Sequence, residues 1–268
     1  DLIVYRLSDD AFMLVVNAAT VESDYEWIHS HISEPVSVHN ISSETAKVDI
    51  QGPGAPAIVQ SLLDQTIEKM KYYRFIKNVY MGRTVLISRT GYTGEVGFEV
   101  YSDPETIDLF WNACLAEGAV AAGLGARNTL RLEIGLPLHG HELGPKRNAS
   151  DSGMDRFISK KKRFVGSASI REGAAGRQRL VGLKLDGKQA AREGNRILSE
   201  NDTVIGEVTS GSFAPSLGYA VALGYVENAF TRIGTKVHIK GLRVLSGRIQ
   251  ETPFYKKGTA RESMSEFL

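Results

Sequence analysis

The sequence predicts an α+β protein whose C-terminal part is built only of strands. Before residue 135, apolar residues recur at helical spacing in several segments, and runs of β-branched and aromatic residues lie between them. From residue 179 onward only short strand-like runs remain, separated by turn signals, which favours a small barrel or sandwich. The 268 residues, of which 42% are hydrophobic, are enough to bury a large core.

Residues 1–42 are predicted to be the remainder of an α+β domain. Two strands are expected over residues 2–5 and 12–16, where β-branched and aromatic side chains flank a turn-prone Ser-Asp-Asp. A helix follows and ends before Pro35, because proline cannot continue a helix. The apolar stripe of this helix consists of Tyr25, Ile28 and Ile32.

Residues 43–150 are predicted to form a second α+β domain. Apolar and β-branched runs predict strands at residues 46–50, 84–87 and 97–101. Helical spacing predicts helices at residues 57–63, 104–115 and 126–134. The chain's only cysteine, Cys114, belongs to the apolar pattern of the second of these helices, with Ile107, Phe110, Trp111 and Leu115. We therefore expect Cys114 in the core, and neither a disulfide nor a cysteine metal cluster.

The stretch 88–103 connects two of these strands through a glycine-rich loop. Three glycines are spaced three residues apart in it: Gly91, Gly94 and Gly97. Glycine permits positive φ and a close approach to another group. In the exit strand, Glu99 must point away from the face shared by Phe98 and Val100. Two interpretations remain: a tight hairpin with a solvated Glu99, which the pattern alone favours, or a carboxylate placed to bind a flat polar heterocycle.

A connector, residues 151–178, is predicted to lead into an all-β domain at residues 179–257, with the boundary in a Gly/Ala/Arg-rich segment at 165–178. Five strands are predicted in the all-β domain, at residues 180–185, 196–198, 204–208, 220–226 and 236–240. The charged tail after Tyr255 is expected to be frayed.

Composition argues against several classes of partner. The formal net charge is +1, so the chain has no global field for nucleic acid or an acidic membrane. No apolar run approaches the roughly 20 residues of a transmembrane helix. His139 and His141 flank one glycine without a third ligand at metal spacing, so we expect no metal site. No heptad pattern argues for a coiled-coil dimer, and a monomer is expected.

Two blocks carry a family resemblance: Ser-Arg-Thr-Gly-Tyr-Thr-Gly-Glu-Val-Gly-Phe-Glu-Val at 88–100 and Gly-Leu-Gly-Ala-Arg-Asn-Thr-Leu-Arg-Leu-Glu-Ile-Gly-Leu at 123–136. With the segments at 1–5, 15–17 and 209–226, they resemble the folate-dependent aminomethyltransferase family, which includes the T-protein of the glycine cleavage system. The resemblance implies a multi-domain, cloverleaf-like fold of ferredoxin-like α+β units with a C-terminal β-barrel. It also implies that the chain lacks the family's N-terminal part.

The resemblance further implies a reaction. A lipoylated H-protein would present an aminomethyl group, and the enzyme would release ammonia and pass the one-carbon unit to tetrahydrofolate. The implied location is the cytoplasm, or the mitochondrial matrix in a eukaryote. The carbon must leave a sulfur atom and be trapped by a folate nitrogen, which requires a carboxylate near that nitrogen and close placement of both reactants.

Family positions transfer to six residues. Asp1 is the implied catalytic carboxylate, and the implied folate-binding residues are Tyr5, Asn17, Tyr92, Glu99 and Arg127. Asp1 would contact the reactive folate nitrogens, and Glu99 would accept the amino and ring N–H groups of the pterin. Arg127 would serve the acidic tail of folate or hold a wall of the pocket, while Arg131 is assigned to structure.

Two alternatives stay open. One is a related folate-dependent demethylase that takes a methyl group from a small donor, and the other is a non-catalytic folate-binding protein. The sequence departs from the family pattern at Leu138-His-Gly-His-Glu-Leu-Gly144, where an acidic pair is missing, and at Ala214-Pro-Ser-Leu-Gly218, where a lysine is missing. These departures concern the identity of the one-carbon donor more than the binding of folate.

Overall fold

The structure, a computed structural model, describes residues 2–33, 35–171 and 176–268. It divides into two compact units, one of Asp1–Ala122 with Gly258–Leu268 and one of Gly123–Lys257. Each unit has its own hydrophobic core. The predicted class, α+β with a C-terminal barrel, is confirmed.

Among its described residues, the first unit contains six strands and three α-helices. The strands are β1 (Ile3–Arg6), β2 (Phe12–Val15), β3 (Ala46–Gln51), β4 (Phe75–Tyr80), β5 (Arg83–Ser88) and β6 (Gly97–Ser102). The helices are α1 (Val21–His31), α2 (Ala55–Leu62) and α3 (Pro104–Ala116). Strands β1 and β2 form an antiparallel hairpin, and the other four form an antiparallel sheet in the order β3-β6-β5-β4. Strand β4 was not predicted.

One face of the four-stranded sheet carries the core of the first unit. Phe98 and Val100 of β6 are fully buried there, as their alternation predicted. Asp103 caps the N-terminus of helix α3, and its carboxylate accepts the backbone N–H of Thr106 at 3.0 Å. Cys114 is buried in this core, as predicted. The predicted stripe of α3 is only half right, because Trp111 and Leu115 are 37% and 36% exposed.

The opposite face of the sheet packs against the β1–β2 hairpin through a smaller cluster. Its buried members are Tyr5, Leu86 and Tyr101, with Ile3, Met13, Val15 and Phe75 packed against them. The ring of Tyr5 meets the rings of Phe75 and Tyr101 edge-on, at centroid distances of 5.2 and 5.6 Å. Tyr5 and Tyr101 therefore lie together on the face that Glu99 shares.

The last eleven residues are not frayed, contrary to the expectation for the charged tail. Met264 is 1% exposed and packs in the core of the first unit. The hydroxyl of Thr259 accepts the backbone N–H of Val96 at 2.9 Å, and the backbone N–H of Ala260 donates to the Gly94 carbonyl at 3.1 Å. The C-terminal tail is therefore held against the glycine-rich loop. The charged composition of the tail did not predict this contact.

In the part of the chain that the structure describes, the second unit is a closed six-stranded barrel with two α-helices before it in the sequence. The helices are α4 (Leu124–Glu133) and α5 (Ser167–Arg171). The strands are β7 (Gln178–Leu185), β8 (Arg196–Leu198), β9 (Val204–Ala214), β10 (Tyr219–Glu227), β11 (Lys236–Lys240) and β12 (Val244–Gln250). The barrel order is β10-β7-β12-β11-β8-β9. Five of these strands match predicted runs, and β12 was not predicted.

Four 3₁₀ helices complete the described elements: Ala18–Thr20, Asp155–Phe157, Asn228–Phe230 and Met264–Glu266. Within the part of the chain that the structure describes, the helices are all too short or too polar to cross a bilayer.

Candidate functional site

A row of charged side chains crosses the face of the sheet opposite the main core of the first unit. In the antiparallel register of β3 and β6, Asp49 lies opposite Glu99, and Lys47 lies opposite Tyr101. The Nζ atom of Lys47 lies 2.6 Å from Oε1 of Glu99 and 3.1 Å from Oδ1 of Asp49. The Glu99 side chain is only 6% exposed, whereas that of Lys47 is 31% exposed. Lys47, which is partly exposed to solvent, thus contacts two carboxylates, and that of Glu99 is buried.

The second oxygen of Glu99 is held by the glycine-rich loop. The Thr90 hydroxyl donates to Oε2 of Glu99, and the Ser88 hydroxyl oxygen lies 2.9 Å from the same Thr90 hydroxyl. Ser88 is also the residue of β5 that faces Glu99 in the register. Both carboxylate oxygens are therefore oriented, one by an ammonium group and one by a hydroxyl group.

The two carboxylates set the charge state of Lys47. Burial alone lowers the pKa of the Lys47 ammonium, but attraction to Asp49 and Glu99, with the hydrogen bonds to both, outweighs burial and raises this pKa above its ordinary value. Lys47 is therefore cationic across the physiological range. The ammonium group thus lies between two carboxyl groups.

Two tyrosines extend the row. The hydroxyl groups of Tyr101 and Tyr5 lie 3.3 Å apart, and both residues are buried. Burial, followed by the charge of Glu99, raises the pKa of Tyr101, so its phenol stays neutral. A neutral phenol beside Glu99 adds polarity without a further charge.

The glycine spacing in the loop has a specific cause. A Cβ atom on Gly91 would lie 2.0 Å from Oε1 of Gln51, and one on Gly97 would lie 2.6 Å from the Gln51 side chain and from the Ile50 carbonyl. The amide of Gln51 donates to the Thr90 carbonyl at 3.1 Å. The group that approaches these glycines closely is therefore a side chain of the protein, and the packing holds the loop against β3.

The structure brings some of the predicted site residues together. Tyr5 contacts Tyr101, which lies on the same face of β6 as Glu99. The alternative of a solvated Glu99 is wrong, because Glu99 is buried. Tyr92 is half-buried in the glycine-rich loop, and Asn17 is half-buried just before a 3₁₀ helix. Asp1 lies outside the described residues.

Arg127 belongs to the second unit, where it lies half-buried one turn before Arg131 on α4. Arg131 forms a buried ion pair with Glu142, at 3.0 Å between Nη1 and Oε2. The assignment of Arg131 to structure agrees with this contact.

Sequence reasoning missed the partners of Glu99, namely Lys47, Asp49 and Thr90. One signal was present: Lys47 and Asp49 alternate with Val48 and Ile50 in a predicted strand, so they had to share a polar face. What the sequence did not contain was the pairing of that strand with the one that carries Glu99.

Two other kinds of site, a metal centre and a surface cavity, bear on the chemistry of the chain. Among the residues that the structure describes, His, Cys, Asp and Glu side chains nowhere cluster in a group of three suited to a metal ion. An open cavity of about 650 Å³ in the second unit is lined by Arg147, Arg177, Gln178, Glu227, Asn228 and Ala229. This cavity contains none of the predicted site residues.

The chain combines an α+β unit that presents an ion-paired carboxylate with a six-stranded barrel that follows in the sequence. The fold and the site thus define a class of proteins with an α+β unit and a C-terminal barrel. The sequence matches the family model of the GCVT N-terminal domain over residues 1–162 and that of the glycine cleavage T-protein C-terminal barrel domain over residues 178–256. The chain belongs to the glycine cleavage T-protein family.

Named relatives agree with this assignment. The chain is 38% identical over 264 residues to the aminomethyltransferase of Chloroherpeton thalassium, covering 96% of this chain and 72% of that protein. It is 37% identical over 271 residues to the aminomethyltransferase of Thermotoga maritima, covering 98% and 74%. A crystal structure of glycine cleavage system aminomethyltransferase T from Bartonella henselae superposes with a TM-score of 0.86 at 28% identity, covering 96% of this chain and 72% of that one.

These findings confirm the predicted enzyme class, aminomethyltransferase of the glycine cleavage system, over the demethylase and the non-catalytic alternatives.

Proposed function

We propose that the chain transfers a one-carbon unit from the aminomethyl-lipoyl group of H-protein to tetrahydrofolate and releases ammonia. The observation that carries this proposal is the buried Glu99, oriented by Lys47 and Thr90 on the strand that leaves the glycine-rich loop. Membership of the T-protein family supports both the folate acceptor and the H-protein partner. We place the reaction in the cytoplasm, or in the mitochondrial matrix of a eukaryote, and expect the chain to act as a monomer.

The residues around Glu99 fit a pterin ring. An ionised carboxylate offers about four lone-pair sites, and Lys47 and Thr90 each use one, on different oxygens of Glu99. Each oxygen therefore keeps a site for one N–H group, which suits the neighbouring amino and ring N–H groups of a pterin. Charge assistance strengthens such a pair of hydrogen bonds when water is excluded. Glu99 would fix the orientation of the ring.

The remaining predicted residues have positioning and proton-transfer roles. Asp1 is proposed to contact the reactive folate nitrogens and to take up the proton that the attacking nitrogen loses. Tyr5, Asn17 and Tyr92 are proposed to lie near the pterin, and Arg127 is proposed to serve the acidic tail of folate. Bound tetrahydrofolate would supply two nitrogen nucleophiles for the carbon. As the two new carbon–nitrogen bonds form, the carbon–sulfur bond to the lipoyl arm and the carbon–nitrogen bond to the departing ammonia would break, and the two protons lost by the folate nitrogens would end on the lipoyl sulfur and on ammonia.

Calorimetric titration with tetrahydrofolate tests the role of Glu99. Glu99→Gln keeps the shape of the side chain but removes its charge and one acceptor, and we expect affinity to fall by about 30-fold, or about 2 kcal/mol. The exposed Glu68 provides a matched control, because Glu68→Gln makes the same change in the same unit and is expected to bind like the parent chain. Equal affinities for the parent and Glu99→Gln would contradict the proposed pterin contact.

The donor is tested by product analysis. Ammonia is expected only when tetrahydrofolate and aminomethyl-loaded H-protein are both present, and methylenetetrahydrofolate is the expected product. Formation of methyltetrahydrofolate from a small methyl donor without H-protein would overturn the proposal. Binding of folate without turnover of loaded H-protein would overturn it as well.

A further inference from the structure

The hydroxyl group of Thr90 has a place in the site that the proposed reaction does not by itself require. We propose that Thr90 is a positioning residue whose hydroxyl fixes the orientation of the Glu99 carboxylate, so that the site selects a ligand with two neighbouring N–H groups. This inference rests on the proposed function, since it concerns how the same carboxylate recognises its ligand. Thr90 is not expected to touch the reacting atoms.

The place of β6 in the sheet explains why Glu99 is held from two sides. Strand β6 lies between β3 and β5. The Nζ atom of Lys47 on β3 lies 2.6 Å from Oε1 of Glu99, and the hydroxyl of Thr90, two residues after the end of β5, donates to Oε2. A carboxylate that is held at one oxygen can still turn about its last side-chain torsion, because that torsion is broad. Contacts at both oxygens favour a single orientation.

Thr90 is itself held in place by the protein. It is 5% exposed, and the side-chain amide of Gln51 donates to its carbonyl at 3.1 Å. The Gln51 side chain also accepts a hydrogen bond from the Thr93 hydroxyl at 3.1 Å and packs against Gly91. A β-branched side chain is stiff at χ1, so the backbone of Thr90 sets the direction of its hydroxyl. The donor to Glu99 is therefore in place before a ligand arrives.

The direction of the hydrogen bond follows from the chemistry of the groups. A hydroxyl carries one proton, and the Thr90 oxygen contacts both Glu99 and the Ser88 hydroxyl, the latter at 2.9 Å. An ionised carboxylate can only accept, so the proton of Thr90 goes to Glu99, and the Ser88 hydroxyl is left to donate to Thr90. Thr90 therefore orients Glu99 without adding a charge to the site.

The orientation of Glu99 matters most for a ligand that uses both of its oxygens. Lys47 occupies one lone-pair site of Oε1 and Thr90 one of Oε2, so among the described residues each oxygen keeps a site for a ligand. Two N–H groups of a rigid ring must reach both sites at once, whereas a single N–H group can follow a carboxylate that turns. Loss of the Thr90 hydroxyl should therefore weaken the paired contact selectively.

The decisive measurement compares two ligands by calorimetric titration. One is tetrahydrofolate, and the other is an analogue in which a methyl group replaces the 2-amino group of the pterin. The parent chain is expected to bind the analogue at least about 30-fold more weakly, because one N–H donor is missing. For Thr90→Val, which keeps the shape but loses the hydroxyl, we expect tetrahydrofolate binding to weaken about 10-fold and analogue binding less than about 3-fold.

Further variants separate the hydroxyl from other effects. Thr90→Ser keeps the hydroxyl and is expected to retain most of the preference for tetrahydrofolate over the analogue. Thr84→Val makes the same chemical change as Thr90→Val at an exposed position of β5, and it is expected to bind both ligands like the parent. Thr90→Ala repeats the test with a smaller apolar side chain if Thr90→Val does not fold.

Three results would overturn the proposal. Thr90→Val could bind tetrahydrofolate as tightly as the parent does. It could also lose the same factor for both ligands, which is the result expected if Thr90 only shapes the loop. Thr90→Ser could lose the preference for tetrahydrofolate as fully as Thr90→Val, which would exclude a role of the hydroxyl.

A second readout separates this inference from the proposed function. Crystal structures of the parent and of Thr90→Val report the orientation of the Glu99 carboxylate without any ligand. We expect one orientation in the parent and, in Thr90→Val, a carboxylate that has turned about its contact with Lys47 or occupies two orientations. If the parent fails to bind tetrahydrofolate while this change is present, the proposed function fails and the positioning role of Thr90 stands. If the carboxylate keeps its orientation, the role of Thr90 fails.

Discussion

Arg131 is almost fully buried, and its polar contacts join separate parts of the second unit. Its Nε donates to Asn128 on the same helix at 2.9 Å, and its Nη2 donates to the Ser210 hydroxyl of β9 at 2.7 Å. Its Nη1 donates to the Leu136 carbonyl and to Glu142, both at 3.0 Å. Glu142 in turn accepts the backbone N–H of Leu138 at 2.9 Å. The pair therefore fixes the connector after α4 against the barrel.

Removing one member of this pair should be costly. Arg131→Met leaves the Glu142 carboxylate buried without its cation, and we expect the free energy of unfolding to fall by about 3–5 kcal/mol. Arg131→Met combined with Glu142→Gln is expected to recover a large part of this loss, because no charge is then stranded. Urea denaturation measures the free energy of unfolding of both variants, and Arg243→Met, at an exposed position, is the control. A loss below about 1 kcal/mol for Arg131→Met would show that the pair is not important for stability.

At the level of elements, the glycine-rich loop between β5 and β6 is held from both sides. On one side, Gln51 of β3 packs against Gly91 and Gly97. On the other side, the segment Gly258–Leu268 pairs with the loop, and the buried Arg89 donates to the carbonyls of Ala260 and Glu262. Since the loop carries Tyr92 and leads directly to Glu99, these contacts position the candidate site.

Arg89 is the side chain that ties the C-terminal segment to the loop. It also donates to the Met70 carbonyl at 2.8 Å, so Arg89→Met leaves three backbone carbonyls without this donor. We expect a loss of at least about 2 kcal/mol in the free energy of unfolding and faster tryptic cleavage after Lys257. The exposed Arg74→Met is the matched control and is expected to change neither quantity. Unchanged proteolysis of Arg89→Met would contradict this account.

Gly97 is needed because two strands meet there. A Cβ atom at this position would lie 2.6 Å from the backbone carbonyl oxygen of Ile50, which cannot rotate away as a side chain can. We expect Gly97→Ala to lower the free energy of unfolding by about 1–3 kcal/mol and to weaken tetrahydrofolate binding by displacing Glu99. Gly54→Ala is the control, since nothing lies within 4 Å of its added Cβ atom. Thermal melting of both variants provides the comparison, and equal midpoints would refute the steric argument.

On the scale of the whole molecule, each unit is built around a separate core. The chain's only cysteine and both of its tryptophans, Cys114, Trp27 and Trp111, belong to the first unit. Tryptophan fluorescence and thiol labelling therefore report on the first unit, whereas the barrel is silent in both measurements. This division provides two independent probes of one unit.

Cys114 is expected to be unreactive in the native protein. It is 4% exposed, and burial raises the pKa of its thiol to about 11, so only about 0.1% is thiolate at pH 8. We expect negligible labelling by a thiol reagent in the native state and complete labelling in urea. The urea midpoint should coincide with that of tryptophan fluorescence, because Trp111 lies on α3 with Cys114 and Trp27 belongs to the same unit. Rapid labelling without denaturant would show that the first core opens readily.

The local patterns of the sequence were sufficient for most elements. Alternation along residues 97–101 correctly separated the buried face of Phe98 and Val100 from the face of Glu99. Strands β4 and β12 escaped prediction because polar residues such as Asn78 and Arg248 interrupt their apolar runs. Pairing with neighbouring strands stabilises them in spite of that composition.

The sequence by itself determined the class of fold, the family and the residue types of the site, because periodicity and motif spacing are local properties of a chain. Only the tertiary structure decided which charges meet. Lys47 and Glu99 are 52 residues apart in the chain, and Arg89 reaches carbonyls more than 170 residues away. Such contacts depend on strand register and on which loop covers which strand, and these are set by the packing of the whole unit rather than by any local pattern.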